Sequence, residues 1–251
     1  MELGIAGRVA LVTAATKGIG LGIAQALAEE GAQVSVVART AADVQRVAES
    51  IHGFGVAADV TTEDGCRRAV EETEHNLGRV EILVNNFGAR AGTSWRDTGP
   101  KEFESAFQGN LIVTARMTDL VLPWMLERGW GRVVVISSVW GREAGGAPAY
   151  NAAKAAENSY VKSLARDVAA KGVTVNAIAP GSILWEGGGW HRRRQADPEG
   201  IAEFVRHEMP LGRFGTVEEV AGVVAFVCSV RAGLVNGACI PVDGAQGRSI
   251  L

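Results

Sequence analysis

The sequence contains few cysteines and no long stretch of apolar residues. Its three cysteines, Cys66, Cys228 and Cys239, lie far apart and form no CxxC pair. An odd number of widely spaced cysteines predicts no disulfide framework and is typical of a protein in the reducing cytoplasm. A membrane-spanning helix needs about 18 consecutive apolar residues, and no such stretch is present. We therefore expect a cytoplasmic protein that does not cross a membrane.

An excess of basic residues and a cluster of metal ligands are also missing. The formal net charge is −3, whereas a protein that binds nucleic acid usually has a strong basic excess. The four histidines, His52, His75, His191 and His207, lack the spacing of zinc ligands. We therefore expect no nucleic-acid partner and no metal site.

Instead, the 251-residue chain alternates short β-branched runs with longer amphipathic stretches, and 47% of its residues are hydrophobic. The predicted strands, such as residues 9–13 and 33–38, are almost entirely apolar, which is typical of a parallel sheet buried on both faces. Regular strand–helix alternation predicts an α/β fold, namely a Rossmann-type doubly wound parallel sheet flanked by helices. No linker rich in proline, serine or charge divides the chain, so we expect one domain over residues 1–251.

The remaining predicted elements follow the same alternation. Strands are expected at residues 55–58, 82–84, 132–137, 173–178 and 238–242. Helices are expected at residues 19–30, 41–51, 62–76, 100–127, 150–170 and 218–227. The irregular stretch 182–210 follows a strand, and loops at the carboxyl ends of parallel strands form the ligand crevice. We therefore predict a substrate lid around residues 182–210.

The first strand runs directly into a turn that could approach a phosphate, with the sequence TAATKGIG at residues 13–20. Small residues let the backbone come close to a pyrophosphate, and the N-terminus of the next helix supplies free N–H groups. The glycines do not fit the GxGxxG pattern, so a tight turn without a ligand is the alternative. Ala14 is expected to be tolerable if its φ stays negative.

The choice of cofactor depends on two basic residues. Dinucleotide folds that prefer NAD usually place an acidic residue at the end of the second strand, on the ribose 2′-hydroxyl. Here that strand ends in VART at residues 37–40, without an acid. Arg39 can instead form a forked interaction with a 2′-phosphate, and Lys17 adds a second cation. This pattern favours NADP(H) over NAD(H), although two solvated surface cations would have the same sequence.

A second pattern points to proton transfer. Tyr150 and Lys154 share one face of a predicted helix, so the phenol and the ammonium can converge. Reduction of a ketone requires a proton for the developing alkoxide, and a nearby ammonium favours the phenolate in the reverse direction. Ser137 and Ser138 end a buried strand, where a hydroxyl can donate to a substrate carbonyl. Because neighbouring strand residues point to opposite faces, only one of these serines is expected to face the substrate.

Taken in order, these motifs resemble those of the short-chain dehydrogenase/reductase family. Arg128 and Lys171 lie near positions where the family's 3-oxoacyl-carrier-protein reductases carry basic residues, so the chain resembles these members in particular. The turn at residues 13–20 resembles the motif TGxxxGxG, with Ala14 in place of the first glycine. Residues 85–88, NNFG, resemble NNAG, with Phe87 in place of alanine, and residues 180–183 resemble the family's PG motif. The resemblance implies an NADP(H)-dependent oxidoreductase that interconverts a ketone or 3-oxoacyl thioester and a secondary alcohol.

The resemblance also implies residue roles. Tyr150 is the acid/base, and Lys154 makes the phenol more acidic and holds the nicotinamide ribose. Ser138 orients the carbonyl, although Ser137 has the family's commonest spacing to Tyr150. Asn110 relays protons through a water; alternatively, it is a helix-interior asparagine bonded to a backbone carbonyl. Cofactor contacts are implied for Thr13, Thr16, Lys17, Gly18, Ile19, Gly20, Arg39, Asp59, Val60, Asn86, Gly88, Tyr150, Lys154, Pro180, Gly181 and Ile183.

Assembly and substrate are less constrained. The resemblance implies a homotetramer acting on a small-molecule carbonyl or alcohol. The run at residues 192–194, RRR, suits a phosphate or carboxylate on the substrate, or a solvated lid surface. Two other functions stay open at this point. One is a catalytically silent dinucleotide-binding regulatory protein, which the presence of Tyr150, Lys154 and Ser138 disfavours, and the other is an isomerase or dehydratase that uses the cofactor transiently.

Overall fold

Seven short strands form one parallel sheet in the computed structural model, which describes residues 2–250. The strands are β1 Val9–Thr13, β2 Gln33–Ala38, β3 Phe54–Ala57, β4 Ile82–Asn85, β5 Gly131–Ile136, β6 Val173–Pro180 and β7 Cys239–Val242. Their order in the sheet is β3-β2-β1-β4-β5-β6-β7. The order reverses between β1 and β4, and open α/β sheets bind ligands at this kind of switch point. The predicted fold class is confirmed.

Helices cover both faces of the sheet. They are α1 Gly18–Glu29, α2 Ala41–Ser50, α3 Glu63–Leu77, α4 Pro100–Phe107, α5 Val113–Arg128, α6 Pro148–Val168, α7 Gly189–Ala196, α8 Pro198–Glu208 and α9 Val217–Cys228. Buried residues of α1 and α9 pack on one face, and those of α3, α5 and α6 pack on the other. The sheet is therefore the middle layer of three.

Alternate strand residues belong to different cores, which explains why the strands read as continuous apolar runs. Val12 and Val84 pack in the layer with α1 and α9, whereas Leu11 and Leu83 pack in the layer with α3, α5 and α6. Because side chains alternate between the two faces of a sheet, burial of both faces requires apolar residues at every position.

The structure differs from the sequence prediction in two segments. The helix predicted at 100–127 is interrupted by a π-helical turn, Gln108–Ile112, between α4 and α5. The stretch 182–210 is not irregular, because it contains α7 and α8. Asp197 accepts a hydrogen bond from the Gly200 N–H and Pro198 occupies the first turn of α8, both of which favour a helix start. Whether this segment acts as a lid stays a prediction.

Two further features concern residues 2–250 as a whole. No helix in this part of the chain is both long enough and apolar enough to cross a membrane. No group of three or more histidine, cysteine, aspartate or glutamate side chains in it could hold a metal ion.

Candidate active site

A cavity of about 780 Å³ opens at the carboxyl ends of the strands around the switch point. Its volume lies within the range of about 300–1,000 Å³ that is typical of small-molecule sites. Most predicted site residues line it, namely Thr16, Lys17, Ile19, Gly20, Arg39, Asp59, Val60, Asn86, Gly88, Ser138, Tyr150, Lys154, Pro180, Gly181 and Ile183. Thr13, Gly18 and Asn110 are not among the residues that line the cavity.

Thr13 and Asn86 fix the phosphate-type turn to the end of β4. The Thr13 hydroxyl accepts hydrogen bonds from the backbone N–H groups of Asn86 at 2.9 Å and Phe87 at 3.0 Å. The Asn86 amide donates to the carbonyls of Thr13 at 3.0 Å and Ala14 at 3.3 Å. These bonds connect the two strands on either side of the switch point, so the buried Thr13 shapes the turn from behind.

Ala14 adopts the left-handed conformation, with φ of 52°. The condition of a negative φ is therefore not met, because the turn keeps the backbone shape that a glycine would give it. The cost of this shape for an alanine is about 1–2 kcal/mol. Gly20 explains why the turn is so tight, since a Cβ there would lie 2.4 Å from the Asn86 amide nitrogen and 2.5 Å from the Ala14 carbonyl oxygen.

The N-terminus of α1 forms the anion-attracting end of the cavity. No side chain within residues 2–250 caps this helix, and its first turn contains no acidic residue. Its first N–H groups are therefore available to a ligand anion. Lys17 and Arg39 are exposed at the same end, and neither forms an ion pair within the described part of the chain.

Asp59 follows β3 at the edge of the same region. Its carboxylate accepts hydrogen bonds from the Thr61 backbone at 3.0 Å and the Thr61 hydroxyl at 2.7 Å. These bonds hold the pKa of Asp59 below its usual value, and the charge of Arg39 adds to the effect. Asp59 thus orders the turn into α3 and also lines the cavity.

Tyr150 and Lys154 lie one turn apart on α6 and both line the cavity. Lys154 as a whole residue is 2% exposed, and its ammonium lies 5.8 Å from the centre of the Tyr150 ring. It donates to the Ile136 carbonyl at 2.8 Å and to the Glu157 carboxylate at 2.9 Å. The phenol and the ammonium therefore share one compartment, as the helical spacing predicts.

Both serines at the end of β5 line the cavity. β5 ends at Ile136, so neither serine is part of the strand, and that only one of them faces the substrate stays a prediction. The Ser137 hydroxyl donates to the Lys154 carbonyl at 3.4 Å. The Ser138 hydroxyl instead accepts from the Trp140 N–H at 3.2 Å, which leaves its own proton available. Hydrogen bonding thus favours Ser138 as the donor to a substrate.

Asn110 lies in the π-helical turn and is fully buried. Its amide nitrogen donates to the Ala106 carbonyl at 2.6 Å and the Ala89 carbonyl at 2.8 Å. The bond to Ala106 is the backbone contact that was the alternative to a proton relay. A Cβ on Gly88 would lie 3.0 Å from the Asn110 amide oxygen and 3.3 Å from the Lys154 nitrogen, so glycine at this position leaves room between the two groups.

Three further residues support the site beyond the catalytic and cofactor-binding residues that the sequence predicts. Gln246 accepts from the Ser182 N–H at 2.7 Å and fixes the turn after β6. The Trp185 ring lies against Gly18, 2.7 Å from where a Cβ would be. Glu157 binds Lys154. Only Glu157 has a signal in the sequence, since it lies three residues beyond Lys154 on the same helical face.

Comparisons with known proteins agree with this geometry. Residues 13–245 match the family model described as enoyl-(acyl carrier protein) reductase. The chain is 35% identical over 248 residues to 3-oxoacyl-(acyl-carrier-protein) reductase of Pseudomonas aeruginosa, covering 96% of this chain and 98% of the relative. It is 36% identical over 243 residues to acetoacetyl-CoA reductase of Rhizobium meliloti, covering 95% and 98%. The crystal structure of L-sorbose reductase from Gluconobacter frateurii, complexed with NADPH and L-sorbose, matches with a TM-score of 0.93 and 29% identity over 100% of both chains.

Proposed function

The chain is an oxidoreductase of the short-chain dehydrogenase/reductase family, and from that premise we propose that it reduces a ketone or 3-oxoacyl thioester with NADPH. The observation that carries the proposal is the shared compartment of Tyr150, Lys154 and the α1 N-terminus. One end of the cavity offers free N–H groups and cations to phosphates. The other end offers a proton donor beside a buried ammonium.

The residues present fit an NADP(H) molecule. Gly20 brings the turn close enough for backbone contact, and the N–H groups of α1 suit a pyrophosphate. Lys17 and Arg39 suit a 2′-phosphate, because a guanidinium can form two parallel hydrogen bonds to phosphate oxygens. A solved neighbour supports this choice, since the crystal structure of L-sorbose reductase contains NADPH.

The side chains at the other end of the cavity carry out the proton transfer. When bound, the nicotinamide supplies the hydride to the substrate carbonyl carbon. Ser138 donates a hydrogen bond to the carbonyl oxygen and stabilises its growing negative charge. Tyr150 then transfers its phenolic proton to that oxygen, and the Lys154 ammonium stabilises the phenolate that remains. In the oxidation direction the same proton returns to Tyr150.

The substrate end of the cavity is rich in arginine. The Arg90 guanidinium lies 5.1 Å from the centre of the Tyr150 ring, and Arg192 and Arg193 line the cavity from α7. None of these three arginines forms an ion pair within residues 2–250. This charge favours substrates that carry a phosphate or carboxylate, and the phosphates of an acyl thioester carrier meet that requirement.

A substrate screen tests the proposal directly. We expect NADPH to be consumed with members of a panel of 3-oxoacyl thioesters, keto acids, sugar ketones and simple ketones. The readout is the nicotinamide absorbance, with NADH measured in parallel. Tight NADPH binding without oxidation across the panel would instead favour a silent binding protein. Conversion of a substrate with no net change in absorbance would favour an isomerase or dehydratase.

A pair of serine variants identifies the hydroxyl that contacts the substrate. We expect Ser138→Ala to lower kcat/KM about tenfold more than Ser137→Ala, which corresponds to one hydrogen bond of about 1.4 kcal/mol. The reason is that the Ser138 proton is available, whereas Ser137 is bonded to the backbone of α6. Steady-state kinetics on the best panel substrate measure both. A larger loss at Ser137 would reverse the assignment.

Three expectations about the context stay predictions. They are a homotetrameric assembly, a location in the cytoplasm and a lid around residues 182–210. The Trp185 contact with Gly18 supports the lid, since it brings this segment onto the phosphate-type turn.

A further inference from the structure

Glu157 is a fully buried carboxylate that the proton-transfer scheme above does not use. Its side chain is 0% exposed, on the inner face of α6 between Ala153 and Val161. Burial of a charge is unfavourable unless the group is paired and hydrogen-bonded. Glu157 satisfies both conditions, because Oε2 accepts from Lys154 Nζ at 2.9 Å and Oε1 accepts from the Thr114 hydroxyl at 3.3 Å.

The pairing limits what the Lys154 ammonium can do. An ammonium has three protons, and two of them are donated to the Ile136 carbonyl and the Glu157 carboxylate. The third N–H is the one left for the Tyr150 and cofactor side. Glu157 and Ile136 therefore fix both the place and the direction of the ammonium.

We propose that Glu157 is a positioning residue of the acid/base pair, whose carboxylate holds the Lys154 ammonium and offsets part of the positive charge that acts on Tyr150. The inference rests on the proposed function, because it concerns the same proton transfer. An unopposed ammonium would stabilise the phenolate strongly, so a smaller fraction of Tyr150 would carry the proton that ketone reduction needs. A partly compensated ammonium leaves Tyr150 able both to donate and to accept the proton.

The surroundings of Glu157 both oppose and favour its charged form, and the net effect raises the pKa of its carboxyl. Burial raises the pKa of its carboxyl, whereas the Lys154 ammonium and the hydrogen bonds from Lys154 and Thr114 oppose that effect. Thr114 on α5 therefore contributes to this arrangement, because its hydrogen bond favours the ionised Glu157 carboxylate. Loss of the hydrogen bond from Thr114 is expected to make the Lys154–Glu157 pair more positive, because the carboxyl then ionises less readily.

The elements packed around the Tyr150, Lys154 and Glu157 side chains contribute few other charged groups. From the loop after β4, the Arg90 guanidinium faces Tyr150. β5 and the π-helical turn contribute the Ile136 carbonyl and Asn110, which are uncharged. α4 packs on α6 and carries three charged residues, Lys101, Glu102 and Glu104, of which Glu102 caps its own helix at Gly99 and the other two are exposed.

The composition of the chain allows Tyr150 to be titrated alone. The chain contains two tyrosines, Tyr150 and Tyr160, and burial raises the pKa of Tyr160 to about 12. Phenolate absorbance measured well below that pH on the cofactor-free protein therefore follows Tyr150. Tyr150→Phe supplies the baseline.

We expect Glu157→Gln to lower the midpoint of the Tyr150 titration by about one pH unit. Glutamine keeps the size and an acceptor for Lys154 but removes the negative charge, so phenolate forms at lower pH. Glu157→Asp keeps the charge and is expected to restore the midpoint toward that of the natural chain. Asp167→Asn is the matched control, since it removes a carboxylate from the exposed side of the same helix and should cause no shift.

Thr114→Val keeps the experiment decisive if Glu157→Gln does not fold. Valine has nearly the same shape but no hydroxyl, so the carboxylate ionises less readily and the midpoint falls, by less than in Glu157→Gln. Unchanged midpoints in the folded variants, or an equal shift in Asp167→Asn, would overturn the inference.

Kinetics supply a second readout. In the oxidation of an alcohol by NADP⁺ the phenolate is the active form of Tyr150. The acidic limb of the plot of kcat against pH should therefore shift to lower pH in Glu157→Gln, by the same interval as the titration midpoint. A merely structural role would lower kcat without moving the limb. A natural chain that turns over no carbonyl or alcohol would refute the proposed function but leave the titration test intact. An active natural chain with unmoved titration midpoints would refute this inference alone.

Discussion

Tyr150→Phe is expected to lower kcat/KM by about 10³-fold, while NADPH still binds with nearly the affinity of the unaltered chain. General acid catalysis contributes about 10²–10⁴-fold, and phenylalanine removes the proton donor while keeping the ring. The ring is half-buried between α6 and the Arg90 side chain, so its packing survives the change. The loss should therefore appear in kcat, measured by nicotinamide absorbance, and not in cofactor binding, measured by fluorescence titration.

Tyr160→Phe is the matched control for this prediction. Tyr160 lies on the same helix and also loses a hydroxyl, but it is partly buried outside the residues that line the cavity and its hydroxyl bonds to Thr118. This variant is expected to lose some stability and to keep its turnover. Near-normal turnover in Tyr150→Phe would show that another group supplies the proton, and an equal loss in both variants would indicate disturbed folding of α6.

The sheet was predictable because its strands have a physical signature that does not depend on distant parts of the chain. β1 and β2 were predicted with the bounds that the structure shows, since both faces are largely buried and most positions are apolar. The π-helical turn at Gln108–Ile112 left no such signature. A single wider turn changes the helical periodicity too little to be visible in a short segment.

The site was predictable as a set of motifs and less so in its backbone detail. Tyr150 and Lys154 converge because helical spacing alone places them together. The left-handed φ of Ala14 was not foreseen, because it is imposed by the Asn86 and Gly20 contacts across the turn. The orientation of the two serines is hard to predict for a similar reason, since it depends on the residue at which β5 ends.

Glu157 shows a further limit of inference from sequence. A glutamate within a helix usually points to solvent, and the residues around it on α6 include exposed polar groups. Its role becomes visible only when α5 brings Thr114 and β5 brings Ile136 to the same ammonium. Long-range packing thus turns an ordinary residue into part of the site, while the three-residue spacing to Lys154 is the only local trace.

Arg39→Asp is expected to shift the ratio of kcat/KM for NADPH over NADH by two to three orders of magnitude toward NADH. A hydrogen bond to a charged group contributes about 1.5–3 kcal/mol, and the aspartate adds repulsion against the 2′-phosphate. The same carboxylate can accept a hydrogen bond from the ribose 2′-hydroxyl of NADH. Arg39 forms no side-chain hydrogen bond with another residue of the 2–250 range, so the fold should tolerate the change.

The control for Arg39→Asp is Arg194→Asp, which makes the same charge change on α7 outside the residues that line the cavity. If net charge alone governed the cofactor preference, both variants would move the ratio equally. If a local contact governs it, only Arg39→Asp moves it, and high salt should weaken NADPH binding more in the unaltered chain than in the variant. An unchanged ratio of kcat/KM for NADPH over NADH in Arg39→Asp would contradict the role of Arg39 and indicate that Lys17 determines the cofactor preference. The Lys17 ammonium lies at the same end of the cavity but cannot form a forked contact with phosphate.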